Sequence, residues 1–116
     1  MQRWQMYWLL HASGLPHGVA EFRLSEKAKQ DIIEIYEHSE REFGAYQADA
    51  YHAGLERIFD LLASFPLIGR AMDEIMPGLR GFRFQAHTVF YTETSGFVLI
   101  RAVMHQSREI KPSLFD

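Results

Sequence analysis

The sequence predicts an α+β domain: an antiparallel α-helical hairpin packed on a small, largely antiparallel β-sheet, in the order β-α-α-β-β-β. Two consecutive stretches carry apolar residues at helical spacing and are separated by a single glycine. A short alternating stretch precedes them, and three β-branched or aromatic runs follow after a loop rich in proline and glycine. Helices with one apolar face need a sheet to cover, and the strand-like runs supply it.

The first strand is expected over residues 19–24 (VAEFRL), where Ala20, Phe22 and Leu24 share a face and Glu21 and Arg23 take the other. Ser25 stands where an N-cap belongs, its hydroxyl available to the free amides of the first helical turn, and Glu26 adds negative charge at the positive helix end. From 26 to 43 the apolar stripe is Ala28, Ile32, Ile35, Tyr36 and Phe43, and Gly44 supplies the left-handed stop. The second helix runs over about 45–65 with Tyr51, Leu55, Ile58, Phe59, Leu62 and Phe65 on one side, until Pro66 ends it. So tight a connection makes the pair antiparallel.

Strands are then expected over 81–85, where Phe82 and Phe84 alternate with Arg83, over 88–92 (TVFYT), and over 97–105 (FVLIRAVMH). Residues 93–96 read as the turn between the last two. The last strand is apolar on both faces apart from Arg101, which makes it central. The tail, QSREIKPSLFD, reads as a polar surface segment. Residues 1–18 read as a flexible extension ahead of a domain over 19–116; their apolar stretch, Trp4 to Leu10, is short for a secretory signal and its positive start is a lone Arg3.

Composition narrows the function classes. The chain of 116 residues is long enough for one domain with its own core. It has no cysteine, which excludes disulfides, thiolate chemistry and cysteine-based zinc sites. No apolar run is long enough to span a bilayer. A formal net charge of −3 is unlike a protein that binds nucleic acid chiefly through phosphates. His38 and Glu42 lie four apart on one helix face, but a pair is short of the three or four ligands a zinc site needs, so no metal and no cofactor is expected.

Four arginines (Arg80, Arg83, Arg101, Arg108) lie in or beside the sheet. Arginine cannot exchange protons near neutral pH but grips phosphate or carboxylate in a fixed fork. One reading is a small ribonuclease in which Arg80 and Arg101 hold the backbone and His105 or Tyr91 moves a proton. The other is that the arginines cap sheet edges and meet acidic groups of a protein partner. Counting back through a turn over 93–96 sets His87 opposite Ala102 and leaves His105 beyond it, so the two rings are not forced together. Tyr46, Tyr7, Trp4 and Trp8 are aromatic candidates for contacts with another chain in a groove beside the hairpin.

The stretches LSEKAKQDIIEIYEHSEREFG, AYQADAYHAGLERIFDLLASFPLIGR, EIMPGLRGFRFQAHTVFY and IRAVMHQSREI together resemble the ParE toxins of bacterial toxin–antitoxin pairs, within the RelE/ParE superfamily. The resemblance covers 19 to about 110. It is most specific at Phe65-Pro66 through Gly69-Arg70, at Pro77-Gly78-Leu79-Arg80, at His87 with Phe90-Tyr91, and at His105. It implies that the Pro/Gly loop is structural, and that the protein is a cytoplasmic inhibitor of DNA gyrase without catalytic residues of its own. It also implies a hetero-oligomer with a ParD-like antitoxin, reaching nucleic acid only through the antitoxin or gyrase. Under that resemblance, Arg101, His105 and Arg108 are candidates for gyrase contact, and Ile35, Tyr36, Tyr46, Tyr51, Arg80 and Arg83 for antitoxin contact. The RelE branch, which shares the fold and cuts messenger RNA on the ribosome, is the alternative, as is a non-toxic member that only binds.

Overall fold

A computed structural model describes residues 21–115. The expected start of the first strand at Val19 and Ala20, and the extension over 1–18, lie outside the described residues. Strand β1 (Phe22–Leu24) leads through Ser25 into helix α1 (Glu26–Phe43), and helix α2 (Ala45–Ser64) follows after Gly44. Then come β2 (Arg70–Ala71), β3 (Arg80–Phe84), β4 (His87–Thr94), β5 (Phe97–His105) and a 3-10 turn at Pro112–Phe115. The five strands form one sheet in the order β1-β5-β4-β3-β2. Strand β1 runs parallel to β5 and the other neighbours are antiparallel. The two-residue β2 at the far edge is an element that the sequence pattern does not announce.

Local chemistry accounts for the boundaries. The Ser25 hydroxyl accepts the Ala28 amide at 3.0 Å and donates to the Arg101 carbonyl at 2.9 Å, so one side chain caps α1 and pins it to β5. Gly44, at φ +88, reverses the chain in a single residue. Its amide closes α1 on the Glu40 carbonyl and its own carbonyl accepts the Ala48 amide to open α2. Farther along α1 the Asp31 carboxylate accepts the Val103 amide at 3.0 Å and meets Lys27 at 3.0 Å. The hairpin is tied across by the Tyr36 hydroxyl, which donates to Asp49 at 2.7 Å.

The sheet is covered on both faces. On the helical side Phe22, Ile32, Leu55, Phe59, Leu62, Val89, Tyr91, Val98, Ile100 and Val103 form the main core. Side chains of this size each stabilise the fold by about 1.5–3 kcal/mol when fully buried. On the opposite side Phe90, Ala102 and Met104 are covered by Met72 and Leu79 from the β2–β3 connection and by Phe115 from the tail. The tail is therefore not the plain surface segment expected: the Phe115 ring packs edge-on against Phe90, centroids 5.4 Å apart.

Two expected core residues lie outside it. Phe43 and Phe65, at the C-terminal ends of the two helices, are exposed. In their place α2 buries Ala48, His52 and Gly54. Gly54 is needed for close approach, since a β-carbon there would run into the ring of Phe84.

Candidate functional site

The loop from Pro66 to Arg80 is held by two side chains of the sheet. Tyr91 is fully buried; its hydroxyl donates to the Pro66 carbonyl at 2.7 Å and accepts the Gly69 amide at 2.9 Å. Arg80, paired with Tyr91 across β3 and β4, sends one guanidinium nitrogen to the Gly69 carbonyl at 2.7 Å and the Leu67 carbonyl at 3.2 Å. Gly69 has no β-carbon to collide with the Tyr91 ring, which allows the loop to lie directly on it. Gly78, at φ +81, makes the turn into β3, with its amide held by Asp73 at 2.9 Å. The loop's prolines, glycines and arginine thus shape the crossing from α2 to the far edge of the sheet. Burial raises the Tyr91 phenol above its ordinary value, and its proton is committed to Pro66.

At the other end of the sheet four polar side chains come together. His87 and His105 are directly paired, their rings edge to face with centroids 5.5 Å apart. This corrects the expectation that His87 stands opposite Ala102 with His105 beyond it; Ala102 pairs with Phe90. The turn between β4 and β5 is two residues, Ser95-Gly96, rather than four, so pairing begins at Thr94 and Phe97. A bulge then makes Arg101 an extra residue between the pairs Tyr91–Ile100 and Phe90–Ala102. Together these slide His87 three residues along β5.

The Tyr51 hydroxyl lies 2.6 Å from His87 Nδ1, and the Ser107 amide and hydroxyl lie 3.1 and 2.8 Å from His105 Nδ1. Burial pushes the Tyr51 phenol up to about 12, opposed by a backbone hydrogen bond at Ala86, so it keeps its proton. Burial, with His105 and His38 nearby, pushes His87 down to about 4. His87 is therefore uncharged at neutral pH, and its Nδ1 shares the 2.6 Å hydrogen bond with the Tyr51 hydroxyl, which also donates to the Phe84 carbonyl at 3.4 Å. The Ser107 amide donates to His105 Nδ1, so the neutral ring of His105 carries its proton on Nε2. Gln85, the first residue of the β3–β4 turn, is the one non-glycine residue at positive φ (+51°) among those described.

The arginines are dispersed. Tyr91 and Val89 face the helical side and Phe90 the other, so alternation puts Thr92 with Phe90. The Arg101 guanidinium donates to Thr92 Oγ1 at 3.0 Å and so lies on the face away from the helices. His105, beside His87 and Tyr51, lies on the helical side. Arg80 is also on the helical side, at the Tyr91 level, four residues along β4 from His87, or about 13 Å. Arg80, Arg101 and His105, the trio of the ribonuclease reading, do not converge on one site. Arg108 is exposed beyond the end of β5, its amide donating to the His105 carbonyl at 2.9 Å. Arg101 thus lies on the face away from His105, whereas Arg108 follows His105 in the turn after β5.

Of the residues suggested for antitoxin contact, Tyr46 is 84% exposed at the hairpin tip, beside exposed Phe43. Arg83 is exposed, its Nε donating to the Gln85 carbonyl at 2.7 Å. Tyr36 is buried between the helices, whereas Ile35 and Tyr51 are half-buried against the core and Arg80 is occupied by the loop. The sequence reading missed Leu67 and Ile68, apolar residues exposed on the loop. Their signal was their place in a Pro/Gly-bounded stretch with no periodicity to bury them. Among the described residues no three His, Asp or Glu are grouped to hold a metal ion, and no helix is long and apolar enough to cross a membrane.

Comparison with known proteins fits this geometry. A family model described as "ParE toxin of type II toxin-antitoxin system, parDE" matches residues 22–110. Toxin ParE1 of Mycobacterium tuberculosis is 34% identical over 96 residues, which span 82% of this chain and 98% of that protein. Toxin ParE1 of Caulobacter vibrioides is 32% identical over 93 residues, 80% of this chain and 96% of that one. A solved structure titled "Chromosomal ParDE TA system from P. aeruginosa" has a chain matching 75% of this one and 96% of itself with a TM-score of 0.66; at 16% identity it is a likeness of fold. With the family match running from β1 through the end of β5, this chain belongs to the ParE family, toxins of ParDE toxin–antitoxin systems.

Proposed function

We propose that the protein inhibits DNA gyrase and so blocks replication, and that a ParD-like antitoxin neutralises it by folding over the hairpin and sheet in a cytoplasmic hetero-oligomer. The observation that carries this reading is the family match over 22–110 together with the separation of Arg80 and Arg101 from the His87–His105–Tyr51 cluster. A ribonuclease needs an acid or base and a phosphate clamp around one scissile bond. Here Arg80 is committed to loop carbonyls, Tyr91 is buried, Arg101 is on the opposite face and His87 is a weakly basic imidazole. An inhibitor that works by contact needs exposed groups only. Arg108 and the half-exposed Arg101 supply positive charge toward gyrase, while Tyr46, Phe43 and Arg83 offer apolar area and charge to an antitoxin segment.

The test is pulse labelling of DNA and protein synthesis in a bacterial host after this chain is induced without an antitoxin. Early loss of DNA synthesis supports gyrase inhibition, to be followed by cleavage-complex assays on purified gyrase. Early loss of translation overturns it in favour of the RNA-cleaving branch. Exchanging Arg101 and Arg108 together for alanine is expected to relieve toxicity while antitoxin binding, measured by pull-down, is retained. Undiminished toxicity in that variant removes these two residues from the gyrase contact.

A further inference from the structure

Four apolar side chains form one exposed ridge where α2 ends. Leu61 is 37% exposed, Phe65 58%, Leu67 69% and Ile68 46%. Leu61 and Phe65 are four apart, with the Phe65 amide on the Leu61 carbonyl at 2.8 Å; the Ile68 amide then returns to the Phe65 carbonyl at 3.2 Å. The four therefore crowd into little more than one helical turn and the bend that follows, fixed from beneath by Tyr91 and Arg80. A contiguous apolar patch on a rigid base is unusual on a solvated surface and marks a place where something docks.

The ridge sits at the end of the molecule where the chain enters the sheet. Helix α2 begins beside the His87–His105 end, where Tyr51 meets His87, and eight residues on Phe59 meets Phe22, ring centroids 5.4 Å apart. Phe22 pairs with Val98 near the start of β5, and the Glu21 carbonyl accepts the Val98 amide. The C-terminal end of α2, and with it the ridge, thus lies at the same end as Glu21.

Residues 1–20 lead directly to this point and carry a short apolar stretch, WQMYWLL, with three large aromatics: Trp4, Tyr7 and Trp8. We infer that this N-terminal stretch is the occupant of the Leu61–Phe65–Leu67–Ile68 ridge, laid over it within the same chain. Trp8 lies thirteen positions before Glu21; at roughly 3.3 Å per step the chain between them reaches about 43 Å, beyond the longest dimension of the domain, 37 Å. Reach is therefore no obstacle. A tether of this length holds the stretch at an effective concentration of about a millimolar, well above that of any free partner. The four ridge side chains and the WQMYWLL stretch themselves carry no charge, so each offers what the other needs to leave water. A strongly charged partner segment would gain little here. The inference concerns a surface apart from the residues assigned to gyrase contact and is independent of that assignment.

The sequence provides a selective probe, because its only two tryptophans are Trp4 and Trp8. Intrinsic tryptophan emission of the full chain therefore reports on this stretch alone. The expected result is blue-shifted emission and acrylamide quenching several-fold weaker than for a free tryptophan analogue, unchanged over a hundredfold dilution. Leu67→Glu with Ile68→Glu should shift the emission red and restore full quenching, while far-UV circular dichroism stays as in the parent. Leu67→Lys alone, at the most exposed position, gives the same readout with less risk to the fold. Quenching equal to that of the free analogue in the parent chain overturns the inference, as does protection indifferent to the ridge substitutions. Protection that fades on dilution overturns it in favour of a second copy as the occupant.

Discussion

Tyr91→Phe removes one oxygen from the core and should loosen the loop that distinguishes this fold's far edge. The hydroxyl makes two short bonds, to the Pro66 carbonyl at 2.7 Å and from the Gly69 amide at 2.9 Å, in a fully buried side chain. Each such bond contributes about 1 kcal/mol net, and the loss is larger when the partner left behind is buried. The Gly69 amide is buried and would be left without its acceptor, so the expected cost is about 2–3 kcal/mol. In a domain of this size that lowers the melting temperature by roughly 10–20 °C. Urea denaturation followed by circular dichroism should show a lower midpoint at unchanged slope. Gly69→Ala adds a sharper test. Its β-carbon would collide with the same hydroxyl and with the ring edge, so it costs about 2–3 kcal/mol alone. In the Tyr91→Phe background the nearest colliding atom is gone. The two changes should then fall short of additivity by about 1 kcal/mol or more. A cost below about 0.5 kcal/mol for Tyr91→Phe, or strict additivity of the pair, would refute the assignment of Tyr91 as the loop's anchor.

Other perturbations read different parts of the structure. Ser25→Ala removes the α1 cap and the link to Arg101 together and should cost about 1–2 kcal/mol in chemical denaturation, with Ser25→Thr restoring most of it. Gly54→Ala should destabilise by about 1 kcal/mol or more although alanine favours helix by about that amount, because its β-carbon meets the Phe84 ring; pairing it with Phe84→Leu should recover stability. His87 is pushed down to about 4 in the folded chain from an ordinary 6.5, so its contribution is present above pH 6.5 and is lost as the pH falls toward 4, where the unfolded state takes up the proton first. Solvent screening of this half-buried ring reduces the effect to about 1 kcal/mol, and His87→Gln should flatten the stability profile of the wild type across that window, measured by urea midpoints at successive pH values.

The helices and four of the five strands were legible because their signals are local: the Ser25 cap, the Gly44 reversal and the alternation of Phe82 and Phe84 each report on a few neighbouring residues. Register was not. Whether Glu93 and Thr94 belong to a strand or a turn depends on how Thr94 meets Phe97, and the bulge at Arg101 depends on how β5 seats beside α1 through Ser25 and Asp31. Those two tertiary facts decide whether His87 meets Ala102 or His105. Strand β2 was invisible for a related reason, since Arg70 and Ala71 have no pattern of their own and pair only because Tyr91 and Arg80 hold the loop against the edge. The candidate surfaces fared similarly. Periodicity placed Phe43 and Phe65 on buried stripes, but it reports which residues share a helix face and not whether anything covers that face at the helix end.

The pairing of β1 with β5 has a consequence for when this protein can exist. Among the described residues, the first strand to leave the ribosome takes its only sheet neighbour from the last, and the link from Ser25 to β5 and the Asp31 contact also wait for β5. Until residues near 105 have emerged, the hairpin presents Ile32, Leu55, Phe59 and Leu62 without the Val98, Ile100 and Val103 side chains that complete their core. The nascent chain is thus an unfinished fold for nearly the whole of its synthesis, and premature termination anywhere before β5 yields no working domain. For a chain of this family, the complete sheet therefore exists only from the final moments of translation onward.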